Sequence, residues 1–220
     1  MISIIYPYRN RELKRIKYSL NTLQQQTNQN FEVYFVDYGS EQNLAKQVKE
    51  LVSNYSFVNY LYINNNYQLW NKSKALNFII RNLQSPYFFV ADIDILFHSQ
   101  FIEVTLGLAQ PNKATYFQVG MLSAKEASRE QSFEKYQVKF KTNESATGMT
   151  LFPVKSVQEL RGFDEFYHFW GSEDTDMHVR LKNYGLKINY YDTRILMLHQ
   201  WHETYRMKEK MELEKIEPNN

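Results

Sequence analysis

The first hundred residues alternate short apolar runs with helical stretches, and that alternation leaves few folds open. The apolar runs Ser3 to Tyr6, Phe31 to Val36, Asn59 to Ile63 and Tyr87 to Ala91 have the length and composition of buried strands. Between them, Arg11 to Gln25, Gln42 to Ser53 and Lys72 to Leu83 read as helices. In the first of these, Leu13, Ile16, Leu20 and Leu23 recur at helical spacing and make one apolar face. A β-α-β-α order predicts an α/β fold, with a Rossmann-type, mostly parallel sheet flanked by helices. Such sheets hold their ligands in a crevice beyond the C-terminal ends of the strands. The residues that follow each strand are therefore where chemistry is expected.

Beyond Asp94 the pattern changes. Gln100 to Ala109 reads as a helix, Thr150 to Pro153 as a short strand and Val154 to Leu160 as a helix. Glu173 to Tyr184 reads as a helix that closes at Gly185, and Ile188 to Tyr191 and Ile195 to Leu198 as strands. The polar stretch Lys125 to Lys141 is expected to be a mobile loop or a helical excursion, and a candidate lid over a bound donor. No repeat or linker divides the chain, which predicts one domain over 1–204 and a charged tail over 205–220. A formal charge of +2 over 220 residues, with no basic stripe, argues against nucleic acid as a partner. The absence of cysteine removes disulfides and thiolate metal sites, and no apolar run of roughly 18 residues is long enough to span a membrane. The expected location is cytoplasmic, with peripheral attachment at the inner face of a membrane through a partner as an extension of that reading. The 17 Tyr and 15 Phe suit sugar-binding surfaces and ordinary cores equally.

Asp92-Ile93-Asp94 stands directly after the fourth apolar run. In a regular strand alternate side chains share a face, so Asp92 and Asp94 are expected to project together. Two close carboxylates repel each other unless a cation lies between them. Hard oxygen ligands suit Mg²⁺ or Mn²⁺ bound together with a substrate's phosphates. Three further clusters join this pair. Pro7-Tyr8-Arg9-Asn10-Arg11 follows the first strand, where an aromatic wall and two guanidinium groups suit a base and its phosphates, although a solvated loop has the same composition. Glu173, Asp174 and Asp176 open a helix after Trp170-Gly171-Ser172. Acidic residues there complement the helix dipole, and one of them is also a candidate general base. His199 and His202 follow the last strand and offer imidazole ligands to the same metal.

Together these residues resemble the inverting family 2 glycosyltransferases of GT-A fold, and within them the β1,4-galactosyltransferase branch. Pro7-Tyr8-Arg9-Asn10-Arg11 is similar to that branch's Pro-Phe-Arg-Asn-Arg loop, and Val36-Asp37-Tyr38-Gly39-Ser40 to the Val-Asp-Asp-Gly-Ser segment of family 2. Asn71-Lys72-Ser73-Lys74-Ala75-Leu76-Asn77 resembles the helix start that packs on the donor, and Gly162 to Asp176 the branch's Gly-Phe…Trp-Gly-Gly-Glu-Asp-Asp-Asp signature. Tyr38, Ser172 and Thr175 depart from those patterns.

The resemblance implies a UDP-sugar donor held by Pro7, Tyr8, Arg9, Arg11, Asp37, Lys74, Asp92, Trp170 and Gly171. It implies Mn²⁺ or Mg²⁺ on Asp92, Asp94 and His199, with His202 a second histidine ligand, and catalysis by Asp174 as base assisted by Glu173. The expected reaction moves galactose or an N-acetylhexosamine to a hydroxyl of a glycan or lipid-linked glycan. Residues 1–98 would bind the nucleotide-sugar and 99–204 the acceptor. The rival readings are a module that binds nucleotide-sugar or glycan without transfer, and a subunit or module of a larger polysaccharide polymerase.

Overall fold

All seven residues of the first strand, β1 (Ile2–Tyr8), are buried, as a strand covered on both faces requires. The computed structural model describes residues 1–65, 69–168 and 171–203. After β1 come α1 (Leu13–Gln24), β2 (Phe31–Tyr38), α2 (Gln42–Val52), β3 (Val58–Ile63), α3 (Lys72–Ile80) and β4 (Tyr87–Val90). The second half holds β5 (Ile95–Phe97), α4 (Phe101–Leu108), β6 (Lys113–Phe117), β7 (Gly120–Leu122), α5 (Ala124–Ala127), β8 (Val138–Lys141), β9 (Thr150–Pro153), α6 (Val154–Glu159), α7 (Glu173–Asn183), β10 (Lys187–Tyr191) and β11 (Met197–His199).

Seven strands form the main sheet in the order β10-β6-β9-β4-β1-β2-β3. Only β9 runs antiparallel to its neighbours, β4 and β6. Ile4, Tyr6, Val33 and Phe35 point to one face and pack with Ile16, Leu20 and Leu23 of α1 and Val48 and Val52 of α2. Ile5, Val36 and Val90 point to the other, with Leu76 and Ile80 of α3, Val157 of α6 and Met177 and Leu181 of α7. Phenylalanines build much of this core. Phe101 lies 4.7 Å from Phe97 and 5.0 Å from Phe89, between centroids.

The chain moves outward from β1 to β2 and β3, then returns to β4 on β1's other side. The strand order therefore reverses between β1 and β4, which places the crevice between the loops that follow them. Those loops carry Arg9 to Arg11 and Asp92 to Asp94.

A second sheet, β5-β11-β7-β8, was not foreseen from the sequence. Its β5 and β7 are three residues each, too short for an alternation to register, while β11 overlaps the strand read over Ile195 to Leu198. The stretch Lys125 to Lys141, expected as a loop or helical excursion, holds the short helix α5 and also the strand β8, which was not expected. The buried Glu126 carboxylate organises it by accepting from Arg129 Nη1 at 2.8 Å, Gln131 Nε2 at 3.1 Å and Gln137 N at 3.1 Å. The helix end expected at Gly185 is present. Leu186 N donates to Leu181 O at 3.0 Å and Gly185 N to Lys182 O at 3.1 Å, closing α7 with paired return bonds.

His178 of α7 is buried beneath Tyr116 and Phe152, with Nε2 2.9 Å from Thr150 Oγ1. Burial pushes its imidazole down to about 4, against a weaker upward pull from Asp174. The unfolded chain takes up this proton near pH 6.5 and the folded chain does not. The neutral imidazole therefore contributes its full stability above pH 6.5, and that stability is lost as pH falls toward 4. The expected loss by pH 4.5 is on the order of 2–3 kcal/mol. Urea midpoints at pH 7.5 and 4.5 should fall more steeply for the native sequence than for His178→Gln, and equal slopes would refute the assignment.

Candidate active site

Asp92 and Asp94 leave the sheet. The β4 ladder ends at Val90, and Ile95 N donates to Asp92 O at 3.2 Å, closing a tight turn. The expectation that both carboxylates share one strand face is thereby corrected, because the turn sends them to different partners. Asp92 Oδ1 lies 3.4 Å from Lys72 Nζ. Asp94 Oδ2 lies 3.2 Å from His202 Nε2, and Asp94 Oδ1 lies 3.5 Å from His199 Nε2.

The β5-β11 pair brings residues 94 and 199 together. Its antiparallel register sets His199 opposite Ile95, and Gln200 N continues the ladder to Asp94 O at 2.9 Å. Among the described residues, Asp94, His199 and His202 form one group whose ligand atoms all lie within 4.8 Å of one another. Two atoms here are buried without a hydrogen-bond partner, Asp94 Oδ1 and His199 Nδ1. An orphaned carboxylate oxygen in a buried site is costly unless something else satisfies it. His202 Nδ1 lies 2.7 Å from Glu203 O. A carbonyl only accepts, so that contact puts a proton on Nδ1 and turns Nε2 toward Asp94. Burial would raise Asp94, but the two histidines and Arg15 outweigh it and hold the carboxyl below its usual range. The bond to Asp94 raises His202 in turn. One carboxylate and two imidazoles converging on one point fit a divalent cation. Asp92, tied to Lys72, stands outside this group.

Lys72 was missed by the sequence reading, which selected Lys74 from the same segment. The Lys72 ammonium, whose side chain is 17 % exposed, lies 3.4 Å from both Asp92 Oδ1 and Glu173 Oε1. Burial alone would lower it, but Asp92, Glu173 and Asp174 outweigh burial and leave it raised, hence charged. It joins the turn after β4 to the start of α7. Lys74 contributes its backbone, donating from N to the cap Asn71 Oδ1 at 2.8 Å. The available signal was that Lys72 opens the helix, directly after its capping Asn71, where a side chain faces the strand ends.

Asn71 and Asn77 also anchor the loop before α7. Asn71 Nδ2 donates to Glu165 O at 2.8 Å, and Asn77 exchanges bonds with Phe163 N and O, both at 2.8 Å. The glycine at 162 follows from this contact, because a Cβ there would meet Asn77 Oδ1 at 2.2 Å and its φ is +80°. In α7 the two acidic candidates separate. Glu173 is buried against Lys72, whereas Asp174 is half-buried and accepts from Thr175 N through Oδ1 at 2.9 Å. Gly171 has φ +130°, and Trp170 lies outside the described residues.

On the nucleotide side, Pro7 and Tyr8 lie within β1 and are buried, with Tyr8 packed on Phe35 at 5.1 Å between centroids. Tyr8 Oη donates to Arg11 O at 2.7 Å and so shapes the loop that presents the half-buried Arg9 and Arg11. Asp37 is fully buried at the end of β2. Its carboxylate accepts from Ser40 N at 3.0 Å and Tyr60 Oη at 2.9 Å, while burial pushes its value up.

A sequence model of glycosyl transferase family 2 matches residues 3–157. The chain belongs to that family. A second model, described as the N-terminal domain of galactosyltransferase, matches residues 128–207. No curated protein sequence matches significantly. Among solved structures, Staphylococcus aureus TarS 1-349 in complex with UDP-GlcNAc superposes with TM-score 0.70 at 17 % identity, covering 94 % of this chain and 60 % of that one. TarS itself gives 0.69 at 15 %, covering 91 % and 36 %. The mannosyltransferase PcManGT from Pyrobaculum calidifontis, in complex with GDP-Man and Mn²⁺, gives 0.65 at 14 %, covering 96 % and 60 %. The chain therefore shares the GT-A fold of these proteins and spans about a third to three-fifths of their length. Among the described residues no helix is long and apolar enough to cross a membrane.

Removing the shared cation leaves Glu173 buried without a counter-charge. Lys72→Met is expected to cost about 2–4 kcal/mol in urea denaturation, with Lys72→Met/Glu173→Gln recovering most of the loss. A double variant no more stable than the single would show that the ion pair does not organise this crevice.

Proposed function

We propose that this chain is a metal-dependent inverting glycosyltransferase that moves galactose or an N-acetylhexosamine from a UDP-sugar to a glycan hydroxyl. The observation that carries the reading is the convergence of Asp94, His199 and His202 at the topological switch point, beside the Asp92–Lys72–Glu173 bridge. Bound UDP-GlcNAc in TarS 1-349, and GDP-Man with Mn²⁺ in PcManGT, support a nucleotide-sugar and a divalent ion for this fold.

Residues 1–98 would bind the nucleotide-sugar. Arg9 and Arg11, presented by the Tyr8-braced loop, would pair with the diphosphate, while Asp37 orders the loop at Ser40. Asp92 and Lys72 would face the transferred sugar, with Trp170 and Gly171 as further donor contacts. A divalent ion on Asp94, His199 and His202 would supply Lewis-acid charge to the departing diphosphate. Two imidazoles favour Mn²⁺ over Mg²⁺, which prefers an all-oxygen shell.

Residues 99–204 would present the acceptor to Asp174. Of the two acidic candidates, Asp174 suits the base, because Glu173 is buried and already paired with Lys72. Asp174 Oδ2 would take the proton of the acceptor hydroxyl. The hydroxyl oxygen then bonds to the anomeric carbon from the face opposite the diphosphate, and the bond to UDP breaks with inversion.

Asp174→Asn is expected to retain UDP binding while lowering turnover roughly 10²–10⁴-fold. Asp94→Ala is expected to abolish the gain in UDP affinity that Mn²⁺ provides. Titration calorimetry with and without Mn²⁺ and steady-state UDP release check both. Full turnover in Asp174→Asn, or Mn²⁺-dependent UDP affinity surviving Asp94→Ala, would sink the assignment.

A further inference from the structure

The β5-β11 ladder makes its last bond from Gln200 N to Asp94 O and does not by itself fix His202, two residues further on. Trp201 does little to anchor this segment through its side chain, which leaves the residue 42 % exposed. Its backbone, however, is held from α1. Arg15 Nη1 donates to Trp201 O at 2.8 Å across 186 positions of sequence. The same guanidinium donates from Nε to Glu12 Oε2 at 3.0 Å, so it is gripped on two sides, and the side chain is only 15 % exposed. Gln200, 3 % exposed, adds a longer contact from Nε2 to Arg15 O at 3.4 Å. These bonds lay the segment after β11 across the start of α1, with His202 Nε2 3.2 Å from Asp94 Oδ2.

We propose that Arg15 is a positioning residue that clamps the Trp201 backbone to α1 and so holds His202 against Asp94. For the metal, this inference rests on the function proposed above. The clamp acts by pre-organisation: a ligand already in place costs less conformational entropy to recruit than one on a free segment. Its charge works the other way, since a guanidinium beside the site repels a divalent cation. The two effects therefore predict opposite signs. Loss of the clamp weakens metal binding, and loss of the charge alone strengthens it.

The test is a Mn²⁺ titration by calorimetry on the full chain, comparing the native sequence with Arg15→Ala, Arg15→Lys, His202→Ala and Arg15→Ala/His202→Ala. Arg15→Ala is expected to weaken Mn²⁺ about tenfold or more, as loss of partners behind a ligand does. Arg15→Lys should recover part of that loss, and Arg15→Ala should add little on a His202→Ala background. Unchanged or tighter binding in Arg15→Ala, or full additivity with His202→Ala, overturns the clamp. Imidazole ¹⁵N spectra of the metal-free proteins provide a readout that needs no ion. There the His202 signal should move in Arg15→Ala while that of His199 stays. If the native chain binds no Mn²⁺, the metal reading falls and the His202 signal decides the clamp alone, an unmoved signal overturning it. Should Arg15→Ala fail to fold, Glu12→Ala takes its place, because it frees the guanidinium from an exposed partner, and the same two outcomes decide.

Discussion

The antiparallel pairing of β5 with β11, three residues on each side, is the constraint on which the rest of the site depends. It joins the turn that follows β4 to the strand that follows β10, about a hundred residues later. Asp94 precedes one strand and His199 ends the other, so the ladder register alone sets them side by side. Neither strand would hold on its own, but both are buried, with Leu96 and Leu198 packed under Leu122. Apolar burial of the second sheet thus contributes the geometry of a polar centre.

Charge then organises what the backbone has brought together. Lys72 stands between Asp92 and Glu173, and Asp94 between two histidines. The first group holds a cation of its own, one ammonium between two carboxylates. The second keeps buried atoms without a hydrogen-bond partner on Asp94 and His199, and its one carboxylate and two imidazoles fit a divalent cation. The same division separates the acidic pair at α7. Glu173 is buried against Lys72, and Asp174 is half-buried beside it.

Much of this was legible in the sequence, for physical reasons. The apolar runs of β1 to β4 and the helices between them leave clear signals, so the half from Ile2 to Val90 read correctly. Asp94, His199, Glu173 and Asp174 stood out because charged and imidazole side chains at the ends of apolar runs are expensive unless used. The second sheet was not legible as a sheet, since β5 and β7 are too short to show an alternation and β11 alone was read, as Ile195 to Leu198. Without it, Asp92 and Asp94 looked like equals on one strand face, and the turn at Ile93 divides them. Lys72 and Arg15 were missed for a related reason. Each looks like an ordinary solvated helix residue until a partner about a hundred or more positions away is placed beside it. Pro7 and Tyr8 show the converse, since residues that suggested a base pocket serve as core beneath the loop.

The central claim is that the Asp94–His199–His202 centre serves transfer from a nucleotide-sugar. Release of UDP from a panel of UDP-sugars, followed with Mn²⁺, with Mg²⁺ and with EDTA, tests it most directly. The account predicts release from one preferred donor, strongest with Mn²⁺ and abolished by EDTA. Release indifferent to EDTA, or none from any donor even with a glycan acceptor present, would contradict it.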